Sequence, residues 1–357
     1  MKKIIFVSVI LFLAHTTFAQ IDFIKGSLSD AFQKAKTEKK ILMVDVFTDW
    51  CKWCVELDNK VYSQKDVYEF ANSSQVNFKI DAEKGEGVDF AKKYKVNAYP
   101  TVLFLDGDGN EIDRILGYLP KKDFFEMMTD FNKGINTFAY LKNKLEKDPE
   151  NLDANLKIAD KYIALGGNAE AKKHLDKVVQ VDPQNTLGKT DDAKFRLASL
   201  ADKDHIIPEL DAFIKEYSSS ENLKDAYISI AETYYYEKKD LDNSVKYYAE
   251  ALKLFPSEEG VRSSYGQFLN ARAGDIASDS LSKPEDYKRG LELIDQALPY
   301  VAGSVNEASS YYLQSKLYYN LAEYKTANEC IGKALKIFDR KLYRDLKTAV
   351  EKKLDSE

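Results

Sequence analysis

Two hydrophobic rhythms divide the chain. Through about residue 132, short apolar runs alternate with helical patterns; from Thr137 onward the runs vanish and helical patterns recur in pairs. The run at residues 41–47 is continuous except for Asp45, the mark of a strand buried on both faces. Further strands are expected at residues 21–24, 76–80, 102–105 and 111–116. The last two flank Asp106-Gly107-Asp108-Gly109-Asn110, a hairpin turn whose glycines tolerate positive φ. Between them, Ser27 or Ser29 caps a helix with Leu28, Ala31, Phe32 and Ala35 on one face. Another helical pattern follows the first long strand, a short helix falls at 90–94, and Pro120 opens one over 121–132. This order predicts an α/β layer with an antiparallel hairpin at one side. Lys133-Gly134-Ile135-Asn136 is the expected boundary, with Gly134 ending the preceding helix.

The helical half aligns with itself. Ala159, Tyr162, Ala171, Leu175, Val178 and Pro183 form one unit. Tyr235, Ser244, Tyr248, Ala251 and Pro256 form a second, and Tyr318, Ala327, Ile331, Ala334 and Asp339 a third. Tyr162 to Pro183, Tyr235 to Pro256 and Tyr318 to Asp339 share a separation of 21 positions. Small residues let paired helices approach, and proline stops the second helix. The pattern resembles the tetratricopeptide repeat, with a period of about 34 residues. It is degenerate: Glu232 stands where that family usually has glycine. Weaker units are expected near 191–217 and 258–299, and a lysine-rich helix near 341–354 would cap the array. Its concave face would be lined by Tyr236, Tyr312, Lys316 and Tyr319, a groove for a peptide or protein partner.

Charge and composition narrow the partners. The formal charge is −6, with 52 basic against 58 acidic residues, so nucleic acid and anionic membrane are poor partners. Lys2 and Lys3 precede an apolar stretch at 4–14 that is too short to span a bilayer. Thr17-Phe18-Ala19 then offers a cleavage site, so residues 1–19 read as an export signal. No cysteine follows that site, so a bacterial lipid anchor is not indicated. The mature chain would begin at residue 20, with an α/β domain over 20–133 and a helical domain over 137–357.

The chemistry gathers at Trp50-Cys51-Lys52-Trp53-Cys54. A C-x-x-C pair is either a redox disulfide or half of a zinc site. Zinc needs two further thiolates or imidazoles, and the mature chain offers only Cys330, His174 and His205, all in the helical half. No metal is therefore expected, and no cofactor beyond the Cys51–Cys54 disulfide itself. At the start of a helix, unpaired N–H groups and the helix dipole favour a Cys51 thiolate, which makes Cys51 the nucleophile and Cys54 the resolving thiol. Lys52 adds positive charge beside it and Asp49 opposes. Cys330, among Ala327, Ile331 and Ala334, reads as a small buried hydrophobe.

The stretch from Val44 to Cys54, with Tyr99-Pro100-Thr101 further on, resembles the thioredoxin family over about residues 21–133. The resemblance implies an α/β thioredoxin fold followed by an all-α tetratricopeptide-like helical-hairpin array. It implies that Asp45 is a buried carboxylate relaying protons for Cys54, and that Pro100 is a cis-proline facing the disulfide. Trp50, Trp53, Tyr99 and Thr101 would then contact substrate. Within the family the chain is most similar to the thioredoxin-like domain of bacterial envelope electron carriers of the DsbD type. That likeness implies an exported periplasmic or envelope thiol–disulfide oxidoreductase, acting as a reductase through a mixed disulfide. Its partners would be protein clients and an upstream redox donor. The Lys52-Trp53 dipeptide and the bulky Tyr99 depart from the usual pattern at the positions that set the reduction potential. The competing expectation is an assembly or scaffold protein whose thioredoxin-like domain is a binding module.

Overall fold

The computed structural model describes residues 20–356, and the expected export signal lies outside the described residues. Helix α1 (Leu28–Glu38) is capped by Ser27. The Ser27 hydroxyl accepts the Asp30 N–H while the Asp30 carboxylate accepts the Ser27 N–H, satisfying two orphan donors reciprocally. Strand β1 (Ile41–Phe47) then enters a sheet of order β2-β1-β3-β4. β2 (Gln75–Asp81) runs parallel to β1. β3 (Thr101–Leu105) runs antiparallel to β1, and β4 (Glu111–Leu116) antiparallel to β3.

Two expectations change in detail. Residues 21–24 form only an isolated bridge between Phe23 and Asn77, because the Asp22 N–H goes to the Asn72 side chain and no ladder continues. The helix expected at 90–94 starts earlier, as α4 (Glu86–Lys93). Gly87 lies inside it, where a Cβ would stand 1.9 Å from the Asp81 carbonyl oxygen, so the glycine permits close packing against β2.

Alternation along β1 sorts the two faces of the sheet. Leu42, Val44 and Val46 pack with Ala31, Ala35, Phe78, Phe90 and Leu103 on the α1/α4 side. Met43 packs on the other side with Val102, Phe104, Ile115 and the helices that follow the cysteines. These are α2 (Lys52–Leu57), which runs directly into a π-helical turn (Asp58–Tyr62), then α3 (Lys65–Ser74) and α5 (Lys121–Asn132). Asp45 therefore shares its face with the helix that carries the cysteines.

Beyond Gly134, at φ +70, the chain is helical. α6 (Phe138–Lys147) leads into the hairpin of α7 (Leu152–Ala164) and α8 (Asn168–Val181). α9 (Thr190–Ser199) pairs with α10 (Ile206–Glu216). α11 (Leu223–Thr233) extends through a π-helical turn (Tyr234–Lys238) and pairs with α12 (Leu241–Leu254). α13 (Glu259–Ser278) and α14 (Pro284–Val301) follow, then α15 (Val305–Asn320), α16 (Tyr324–Ile337) and the capping α17 (Lys341–Leu354). The repeat logic holds in the packing: Ala159, Ala171, Ala251, Ala327 and Ala334 are fully buried, and Pro183 and Pro256 directly follow the ends of α8 and α12. Pro299 differs, lying inside the last turn of α14 rather than ending it.

The array is tied to the sheet through Asp113 of β4. One carboxylate oxygen accepts the Phe138 N–H at the start of α6 (2.7 Å), and the other accepts the Lys161 ammonium of α7 (2.8 Å). Burial pulls the Lys161 pKa below the ordinary lysine value despite this partner. Removing one member of a buried pair strands the other charge. Asp113→Ala should therefore lower the unfolding free energy by about 3 kcal/mol in urea titrations, and an unchanged midpoint would show that this junction contributes nothing.

Candidate active site

The turn between β1 and α2 builds the site. Thr48 O accepts the Cys51 N–H (3.1 Å), which turns the chain so that Cys51, in extended conformation, caps α2. Its Sγ accepts the Cys54 N–H at 3.0 Å. That is one of the orphan donors of a helix start, and it aims at the atom that would carry negative charge in the reduced form. Cys51 and Cys54 are joined as a disulfide, and their exposures are only 5% and 3%. A client sulfur therefore has a narrow approach.

Tyr99-Pro100 is a cis peptide, as the resemblance implied, and Pro100 is buried. Tyr99 packs edge-on against Trp50 at 5.8 Å. Trp50 is 51% exposed, with its indole N–H shared between the Glu83 carboxylate oxygens, so it offers an anchored aromatic surface at the rim. Trp53 is half-buried and stacks on Tyr118. Thr101 is fully buried and its hydroxyl donates to Ala98 O, so its side chain serves the bend into β3.

Asp45 is fully buried in the middle of β1. Lys79 Nζ stands 3.0 Å from its Oδ2 in a buried ion pair. Burial pushes the Asp45 carboxyl above its ordinary value; Lys79 pulls it back, and Asp58 adds to the rise. For Lys79, burial opposes the charge, but Asp45 and Asp58 outweigh it and hold the pKa above the ordinary lysine value. Asp49, whose charge opposed Lys52 in the sequence reading, is paired with Lys84.

The far end of the array reaches this site. Lys52 Nζ donates to Asn306 Oδ1 of α15 (2.9 Å) and to Gln267 Oε1 of α13 (3.3 Å). Glu56, buried on α2, accepts the Val305 N–H at the start of α15 (2.8 Å), where a carboxylate complements the helix dipole, and also pairs with Lys60. Val55 packs into the cluster of Val305, Tyr311, Tyr312 and Tyr343. The Tyr312 ring is partly buried and stacks on Tyr343 in the cluster that seats the α2 helix. The other expected groove residues lie outside that cluster. Tyr236 is 54% exposed, Lys316 donates to Ser278, and Tyr319 packs edge-on against Tyr324. Glu56, Gln267, Asn306 and Lys79 gave no sequence signal, because their roles arise from contacts up to hundreds of positions apart.

Other candidate chemistry stays apart. His174 is hydrogen-bonded to Asn155, His205 to Asp202, and Cys330 is buried in α16. Among the described residues no three metal-ligating side chains gather, and no helix is long and apolar enough to cross a membrane.

Comparison with known proteins agrees with this division. The thioredoxin-like domain family matches residues 28–132, and tetratricopeptide repeat families match 136–190 and 224–258. The thiol:disulfide interchange protein DsbD of Yersinia pestis (strain Pestoides F) is 32% identical over 95 residues, covering 26% of this chain and 16% of that protein. DsbD of Escherichia coli (strain K12) is 29% identical over 119 residues, covering 32% of this chain and 20% of that one. The chain thus spans no more than a fifth of the length of these relatives. A candidate disulphide isomerase from Bacteroides thetaiotaomicron shares 37% identity, with 32% of this chain and 93% of that chain covered at a TM-score of 0.30.

The buried carboxyl gives a pH-dependent test. Its folded pKa lies above the unfolded value, so the protonated form favours the fold and stability is lost as pH rises from the ordinary carboxylate value through the raised one. Relative to wild type, Asp45→Asn should become progressively more stable as pH rises across that window and match it below the ordinary value. Parallel unfolding curves for the two proteins at every pH would contradict this.

Proposed function

We propose that this chain, with a thioredoxin-like domain at residues 28–132 and tetratricopeptide repeats beyond it, is an exported thiol–disulfide oxidoreductase that reduces protein disulfides in a bacterial envelope. The observation that carries the reading is Cys51 Sγ capping α2, with the Cys54 N–H directed at it. In the reduced protein the Cys51 thiolate attacks one sulfur of a client disulfide. The client S–S bond breaks, a Cys51–client disulfide forms, and the departing client sulfur takes up a proton. Cys54 then loses its proton, with Asp45 as the acceptor, and attacks Cys51 Sγ. The second client thiolate leaves, the Cys51–Cys54 disulfide is restored, and two electrons have passed to the client. A dithiol donor upstream resets the pair.

Pro100 and Tyr99 would flank the client backbone, while Trp50 supplies an aromatic contact at the rim. The repeats would hold a protein partner, with Tyr236 as the most open of the expected groove residues. A carboxyl whose pKa burial raises is a better proton acceptor than an exposed one.

A second reading rests on the low exposure of the cysteines and the array clasping α2. In it the thioredoxin-like unit is a docking module of an assembly protein. One variant separates the two. Cys54→Ser should accumulate mixed disulfides through Cys51 that disappear on reduction and are absent from the Cys51→Ser/Cys54→Ser protein, as read by non-reducing gels and mass spectrometry. A Cys54→Ser protein that traps nothing, together with a Cys51→Ser protein that complements as well as wild type, would leave the docking module standing.

A further inference from the structure

The side chain between the two cysteines is held by the other domain. Lys52 follows the nucleophile directly, yet both acceptors of its ammonium, Asn306 and Gln267, belong to the array. Both acceptors are neutral amides. Asn306 is itself buried at 3% exposure, and it sits in the first turn of α15, whose N-terminal Val305 is fixed by Glu56. The cradle is thus anchored twice to the redox helix.

The charges around it are equally one-sided. Glu56, the carboxylate on the same helix, is engaged by the Val305 N–H and Lys60. Asp49, preceding the cysteines, is paired with Lys84. Beneath, Asp45 faces Lys79. From the array side, Arg340 lies over the Phe338 and Tyr343 rings, and its positive charge acts on Lys52. Burial and Arg340 both pull the Lys52 pKa down while the Glu56 carboxylate opposes them, yet no carboxylate is hydrogen-bonded to its ammonium.

We propose that Asn306 and Gln267 of the repeat array are positioning residues of the redox pair: by holding the Lys52 ammonium with neutral acceptors, they leave the charge of the residue next to Cys51 without a hydrogen-bonded carboxylate. The array then tunes the active site instead of only recruiting partners to it. A cation near the nucleophile stabilises the thiolate, lowers its pKa and favours the dithiol form. A carboxylate in the same cradle would cancel that charge and do the reverse. This rests on the oxidoreductase reading only in taking Cys51 as the nucleophile.

The test uses the full-length chain with Asn306→Asp and, separately, Gln267→Glu. Asp suits the first turn of a helix, so Asn306→Asp should fold, with near-ultraviolet circular dichroism as the check. Two quantities are read: the pH dependence of alkylation at the Cys51 peptide by mass spectrometry, and the dithiol–disulfide equilibrium against glutathione. Asn306→Asp should raise the Cys51 pKa and shift the equilibrium toward the disulfide by about threefold or more. Gln267→Glu should move both in the same direction, and Lys52→Met should also raise the Cys51 pKa. A folded Asn306→Asp or Gln267→Glu protein with wild-type alkylation and equilibrium would overturn the proposal, since a merely structural contact predicts that result. A Lys52→Met protein with an unchanged Cys51 pKa would overturn it too. If the wild-type pair did not exchange with glutathione at all, the oxidoreductase reading would fail, while the alkylation profiles would still decide this one.

Discussion

The helix that begins at Cys51 is packed from two directions, and much of the structure depends on that double burial. On one side Leu57, Val61 and Tyr62 join the sheet core with Met43, Phe104 and Phe124. On the other, Val55 and Glu56 meet the start of α15. Joined also at Asp113, the array leaves the sheet at β4 and returns to it at α2. An element gripped in this way has little freedom to reorient, which suits a site whose chemistry needs one sulfur aimed along one helix start.

Charge follows the same logic. The interior of the redox unit holds Asp45 and Lys79, with Asp58 at the rim, and each partner offsets part of the penalty of burying the others. The balance is incomplete at Asp45, where burial outweighs the pull of Lys79 and the carboxyl is correspondingly easier to protonate. At the surface of the same helix, positive charge from Lys52 stands near the cysteines while the nearby acids are engaged elsewhere. The proton acceptor below serves the exchange in either direction, whereas a cation by the nucleophile favours the dithiol and so moderates the reducing power of the pair.

Much of this was legible in the chain itself. The apolar run with Asp45, the C-x-x-C pair and Tyr99-Pro100 each encode a local requirement, and local requirements leave local patterns. The shared spacing from Tyr162, Tyr235 and Tyr318 revealed the array because each repeat must bury the same face. What stayed hidden was tertiary. Thr101 looked like a substrate contact by its neighbours, but its burial in the bend into β3 is a product of the fold. Tyr312 fitted the register of a groove, but that register cannot say what the array folds back onto. Asn306 and Gln267 carry no signal, since an amide that accepts from a lysine more than 200 positions away looks like any polar helix residue.

The central claim is that Cys51 and Cys54 pass electrons to client disulfides. The most direct measurement is the reduction potential of that pair in the full-length protein, titrated against a thiol–disulfide buffer. A pair that reduces client disulfides should lie toward the reducing end of this fold's span, near about −270 mV. A value near about −120 mV would mark an oxidant and contradict it.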